Sequence, residues 1–579
     1  MSVFFSLEAA KQALGVNETI EGCVNEAATG VREEAGKDSL LHIGHEPETL
    51  WHKIDHLLYL PILGLTRPRD LYYYQGDGLQ ALYGFTYKYL TLEHFLGQLS
   101  HLKVGYLLAD TLAYHYSQAW YSGVAPLVLF TDFHVKPHWC KEISHSGHVT
   151  MWGRTMPGTK QLVLNGIFGH LLGGWNYPID THMTQILVDM ESKLSETLKR
   201  PILCNIFDSE GSSQAIGERY AAADANYLTV LPRQYRYRLE DFIIEDEWEP
   251  VIDDSNREAV YAQWTDTKKA SKESRQLVLL RPIGDKDPTR IYTGRLPEGV
   301  PASIAPWLHR QRWADNEHAI RNLVKGANFN QNYGYSYDLV PHRTRQREWE
   351  EAQARVEAIE KKQEQQQEAL HNLRQQRQQL QSSYDKRRVA IEQEIVQKRL
   401  ELRQRQQLVK PTKRVEKRLL RLRSDMAQLA TRFDRRLRRL SQQIVERRTQ
   451  LDCLQQELQQ RIVCREAIDT ETLCRERHLE KDQVMLNWQV LLANCHDWAR
   501  THFFAPAWRK LSLERATQLI YRKSGRVTHF SDRIEVVLDA YRYAEHQRDM
   551  EETCRCVNDA NLHWRDGRLL RFSVETPIQ

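Results

Sequence analysis

Asp132, Asp208 and Glu317 are the three acidic residues of this chain whose surroundings suit the binding of divalent cations. Asp132 follows PLVLFT, an apolar run of strand length. Asp208 follows PILCNIF and precedes a Gly-Ser turn and a helix-like stretch. In open α/β sheets, ligands gather at the carboxyl ends of strands, where a rigid scaffold fixes a side chain. Asp also starts turns and caps helices at such places, so one strand-end Asp carries little weight and two at matching positions carry more. Glu317 lies in QRWADNEHAIRNLVK. Read as a helix, this segment puts Trp313, Glu317 and Ile320 on one face, with Arg312 and Arg321 near it. A helix-surface ion pair is the plainer reading of that Glu. Three convergent carboxylates would suit phosphodiester chemistry, in which two divalent ions activate the attacking oxygen and stabilise the leaving one. Mg²⁺ (or Mn²⁺) prefers such oxygen ligands and leaves room for water and phosphate.

Other constellations compete. His134, His138, Cys140, His145 and His148 crowd a short stretch, but their spacing matches no familiar closed zinc site. His134 could instead lie beside the cation pair. Trp248 and Trp264 could stack on a displaced base, although core packing is the commoner use of such residues.

The elements that must position these groups follow from periodicity. Residues 1–120 read as a helical N-terminal region. Residues 121–340 alternate strand-like and helix-like stretches, the pattern of an α/β core. Its expected strands are Pro126–Phe130, Gln161–Asn165, Pro201–Phe207 and Tyr227–Leu231, with helices over Thr181–Lys199 and Ser213–Asp224. Short alternating runs over residues 238–297 predict a β-rich insert, after which a helix begins near Ser303 or Pro306. Residues 344–465 are rich in Gln, Arg and Glu and lack Gly. Their apolar residues recur at heptad spacing, including Val415, Leu422, Met426, Leu429, Phe433, Leu437, Leu440 and Ile444, which signals a coiled coil. Pro411 breaks it, so an antiparallel hairpin is expected; a continuous kinked helix dimerising in parallel is the rival. Residues 466–579 read as an α+β tail with an amphipathic helix over Lys481–Arg500, a helix around Leu511–Arg522, and strands at Arg533–Leu538 and Leu569–Val574.

Bulk properties add bounds. The 579 residues suffice for several domains, and the net charge of +4 says little by itself. Its distribution says more: residues 410–448 hold fourteen Lys and Arg against four acids, a density that suits a polyanion or a solvated helix face. Arg435 and Arg436 in that arm are candidate contacts to a DNA backbone. Nine cysteines without a CxxC pair point to a reduced, cytoplasmic protein. No apolar run is long enough to span a bilayer.

The order of these segments resembles the DDE transposases of bacterial insertion sequences, in the branch with a β-rich insert between the second Asp and the Glu. Arg312-Trp313-Ala314-Asp315-Asn316-Glu317, with Lys325 beyond, resembles that family's last motif. FDSEGSSQAIGERYAAADANYLTVLPR resembles the stretch around its second Asp; TDFHVKPHW and MPGTKQLVLNGIFGHLLGGWN resemble the region after its first. GDGLQALYGFTYKYL resembles sequence preceding the core, and the likeness covers about residues 60–340. His318 stands where the family has Asn, Ser209 where Arg is common, and a strict reading of the Trp spacing would land on Asn316. The resemblance implies a ribonuclease-H-like core, with Asp132 bridging two Mg²⁺ (or Mn²⁺) ions, Asp208 holding one and Glu317 the other. It further implies hydrolysis at transposon ends, then attack of the freed 3′-OH on target DNA. Arg312 and Lys325 would contact phosphate, and a homodimer would form on DNA in the bacterial cytoplasm, near the nucleoid. A non-catalytic DNA-binding scaffold and a nuclease that cuts without joining are the alternatives.

Overall fold

The computed structural model describes residues 4–35, 47–74, 78–123, 126–139, 144–232, 237–265, 275–313, 317–408 and 410–576. The chain divides into two compact units, residues 1–339 with 475–579, and residues 340–474. Together they make a mixed α/β protein with a large mixed sheet and a long helical hairpin.

The first unit opens with helices α1 (Phe4–Ala13), α2 (Val16–Ala35), α3 (Pro47–Leu58), α4 (Leu60–Leu63), α5 (Gly78–Tyr83), α6 (Tyr89–His101) and α7 (Val104–Tyr121). The spacing of Val104, Leu108, Leu112 and Tyr116 explains α7: they fall on one face, and all four are buried. The sheet elements follow as β1 (Leu127–Pro137), β2 (Ser146–Val149), β3 (Arg154–Gly166) and β4 (Leu171–Pro178), then α8 (Met183–Leu198), β5 (Ile202–Ile206), α9 (Gln214–Ala222) and β6 (Tyr227–Val230). The insert supplies β7 (Phe242–Ile244), β8 (Glu249–Val251), β9 (Asp254–Trp264), β10 (Gln276–Pro282) and β11 (Arg290–Arg295). All eleven strands join one sheet, ordered β2-β3-β1-β5-β6-β11-β10-β9-β7, with β4 also on β3 and β8 also on β9. Strand β3 lies antiparallel to both β1 and β4, whereas β1, β5 and β6 run parallel. The insert extends the sheet by pairing β11 antiparallel to β6.

Helices α10 (Ile304–Arg312) and α11 (His318–Gly326) come next. Residues 314–316, within the segment expected to be one helix, lie outside the described residues. The second unit holds α12 (Arg343–Gln407) and α13 (Lys413–Glu466), with Pro411 in the turn. Glu394 pairs with Arg418, Tyr384 stacks on Phe433, Gln366 accepts from Arg447 and Gln353 from Arg465. Partners advance in opposite directions along the two helices, so they are antiparallel.

The chain then rejoins the first unit through α14 (Glu480–His502), α15 (Leu513–Ala516), β12 (Gly525–His529), β13 (Arg533–Leu538), α16 (Ala544–Asp559) and β14 (Leu569–Val574). The sequence expectation of an amphipathic helix at Lys481–Arg500 is corrected here: α14 is buried nearly all round. Its polar side chains bind backbone of the elements around it. Gln483 donates to Gly174 O (2.8 Å) and accepts from Asn176 N (2.7 Å), and Asn487 donates to Gly105 O (2.6 Å). Glycine permits the approach, because a Cβ on Gly105 would meet Gln483 Cβ at 3.0 Å. Among the described residues no helix is long and apolar enough to cross a membrane.

Candidate active site

Strand register brings the two aspartates together. Phe130 on β1 is aligned with Ile206 on β5, and each Asp follows two residues later in its own strand direction. Strand β5 ends at Ile206, so Asp208 turns out of the sheet as the cap of a short helical turn over Ser209–Gly211. Strand β1 does not end at Phe130, as its apolar run suggested; it stays paired to β3 through Pro137. Asp132 therefore sits within a strand, at the edge where the parallel partner has stopped. A buried hydrogen-bonded chain locks that edge. Thr131 Oγ1 donates to Asn205 Oδ1 (2.7 Å), Asn205 Nδ2 to Glu191 Oε2 (3.2 Å), and the Tyr220 hydroxyl to the same oxygen (2.7 Å).

Helix α10 closes the site with Arg312, which is 3 % exposed. Its Nη1 donates to Asp132 Oδ2 at 3.0 Å, and its Nη2 lies 3.8 Å from Asp208 Oδ1. The Phe133 amide also donates to Asp132 (2.9 Å). Burial pushes the Asp132 carboxyl up to about 6, against the pull of Arg312, and the charges of Asp208 and Glu317 push the same way as burial. Glu317 is likewise raised, first by burial, with Arg312 opposing and Asp208 adding to it. Arg312 and Asp208 thus act on the charge of both Asp132 and Glu317.

Asp132 and Asp208 offer the carboxylate oxygens that a divalent cation prefers, and in this structure Arg312 compensates their charge. The two aspartates are spanned by Arg312, and among the described residues no three His, Cys, Asp or Glu side chains stand together as a metal site. Sequence reasoning gave Arg312 to phosphate; here it neutralises the carboxylates.

A cavity of about 330 Å³ opens beside Asp208, lined also by Arg257, Arg290, His309, Arg310, Arg312 and Trp313. Asp254 partly balances this charge, through Arg310 (3.3 Å) and Arg257 (3.6 Å). Burial, then Arg312, drives the His309 imidazole down to about 3, so it is neutral at physiological pH. Arg257, Arg290, His309 and Arg310 went unnoticed in the sequence because they come from β9, β11 and α10 with no common spacing.

The remaining expected residues scatter. Lys325 is exposed at the end of α11. Trp264 is 9 % exposed and packs on Phe242 (4.8 Å) and Tyr237 (5.4 Å). The expectation that it stacks on a base is therefore corrected: its ring belongs to the insert's core. Trp248 carries Arg281 over its face at 3.7 Å. Arg435 and Arg436 are exposed on the hairpin unit. His134 Nε2 donates to Asn330 Oδ1 (2.6 Å) and its ring lies against Phe329, and His138 bonds Thr159 (3.0 Å). Cys140 lies outside the described residues. No family model and no curated protein matches the chain.

Proposed function

We propose that the chain is a DNA transposase of the DDE type with a ribonuclease-H-like core. The observation that carries the reading is Arg312, which reaches both Asp132 and Asp208 from a helix that follows the insert. Two further features support it. The order β4-β3-β1-β5-β6, antiparallel then parallel, with α8 and α9 between the later strands, is the order expected of a ribonuclease-H-like sheet. The arginine-lined cavity beside Asp208 suits a phosphate-bearing substrate, because guanidinium forks match phosphate oxygens.

In this reading Asp132, Asp208 and Glu317 would hold two Mg²⁺ or Mn²⁺ ions. When bound, these ions supply Lewis acidity at the attacking and leaving oxygens. Arg312 leaves the carboxylates and, with Arg257, Arg290 and Arg310, grips phosphate oxygens. Water attacks phosphorus at the transposon end, the bond to the 3′ oxygen breaks, and a free 3′-OH results. That 3′-OH then attacks a target phosphorus and displaces a target 3′ oxygen, with no protein–DNA bond at any stage. DNA is the partner, bound by a homodimer in the bacterial cytoplasm.

The test uses the full chain, a plasmid carrying the gene's own flanking sequences, and Mg²⁺ or Mn²⁺. Cut ends and joined products are expected with the parent, and none above background with Asp132→Asn or Asp208→Asn, both still folded. Products that persist in chelator, or in either variant, would overturn the assignment. A pre-cut end that is never joined would reduce it to a nuclease.

A further inference from the structure

The far end of β1 opens on a second cavity, of about 420 Å³, in the same unit. His138, at its wall, lies six residues beyond Asp132, which along a strand is about 20 Å. The rim is unusual for a surface that faces only water. Trp139 and Tyr335 line the cavity and are 69 % and 63 % exposed, and Trp152, 50 % exposed, packs on Trp139. Each ring has a guanidinium against it. Arg154 stands 5.2 Å from Trp139 and 5.9 Å from Trp152, whose indoles meet edge to face at 5.6 Å. Arg475 covers Tyr337 at 4.1 Å, and Arg477 (5.4 Å), which also lies 3.9 Å from buried Asp482, and Arg67 (5.8 Å) flank Tyr335.

Exposed rings with arginines beside them combine two kinds of recognition. An exposed ring offers a face to any unstacked base, and a guanidinium offers charge to the phosphate between bases. Bases inside a duplex cannot present their faces to such rings. A purely acidic ligand would use the arginines and waste the aromatic surface. We propose that this surface binds an unpaired nucleic-acid strand, its bases stacking on Trp139 and Tyr335, its phosphates held by Arg154, and one nucleotide entering the cavity. The site lies apart from the carboxylates and needs no metal, so it stands or falls separately from the transposase reading.

The test is fluorescence anisotropy of a labelled oligothymidylate titrated with the full chain in chelator, so that cleavage is silent. Saturable binding is expected, at least about tenfold tighter than for a blunt duplex of equal length. Trp139→Ala and Tyr335→Ala should each weaken it by about fivefold or more, while Trp139→Phe keeps most of the affinity. Arg154→Ala should lower the slope of log affinity against log salt by about 0.7. These side chains are exposed, and an unchanged thermal midpoint shows that the variants fold. Equal affinity for duplex, ring replacements without effect, or equal competition by polyglutamate would overturn the proposal.

Discussion

Glu191 shows what the core asks of a single side chain. It is buried on α8, where Tyr220 and Asn205 donate to one of its oxygens. Burial pushes it up to about 7, and those hydrogen bonds only partly oppose the rise. An acid raised on folding is held protonated in the native state, so its contribution to stability is full at low pH and lost as pH climbs from the ordinary carboxylate range through 7. Glu191→Gln keeps an oxygen for both donors and has no proton to lose. Above pH 7 the variant should be more stable than the parent by about 2–3 kcal/mol, and near pH 4 the two should match; urea unfolding at both values checks this. At this scale the positions of the aspartates were legible, because each lies just beyond an apolar run. It was silent about the inward turn of Arg312. An Arg beside an exposed Trp on a helix looks the same whether it meets solvent, phosphate or a carboxylate, and only the register of β1 with β5 decides.

Among the elements, the helical hairpin was the most legible. Heptad spacing over many turns with one internal proline leaves few folds open, and Leu422 and Leu440 of that seam are buried. The ring stack of Tyr384 on Phe433, centroids 4.0 Å apart, fixes the register near mid-arm. Alanine at both positions, singly and together, should give a coupling energy of about 1 kcal/mol in thermal unfolding; no coupling would mean that the two arms pair differently. Helix α14 was misread for a physical reason. Its Asp482, Gln483, Asn487 and Asn494 resemble a solvated face, yet they are buried against backbone and side chains, Asp482 on Lys136 at 2.8 Å. Polar residues report that partners exist, not whether those partners are water. The length of β1 escaped notice similarly, since its apolar run ends at Phe130 while its pairing with β3 continues to Pro137.

Across the first unit as a whole, the last residues close onto the first. Lys11 lies 2.6 Å from both Glu8 and Asp55, and Arg565 bonds Glu8 (2.9 Å) and Asp55. Burial alone would raise Asp55, but Arg565 and Lys11 outweigh it and hold the carboxyl below its usual range. Arg565→Ala would leave two buried carboxylates with a single lysine, at a cost of about 3–5 kcal/mol. A lower thermal midpoint and earlier proteolysis among α1–α3 should report it. Nothing in the spacing of Glu8, Asp55 and Arg565 hinted at this cluster.

The placing of residues 340–474, a unit of their own, between the two chain segments of the first unit has a consequence during synthesis. Helix α14 covers apolar surface on α7 and β4, yet it lies beyond the whole hairpin in the chain. A ribosome adding about 5–20 residues per second needs roughly ten seconds to translate that intervening stretch. Throughout that interval the nascent N-terminal part waits with those faces of α7 and β4 uncovered, and chaperones have their longest access to them then.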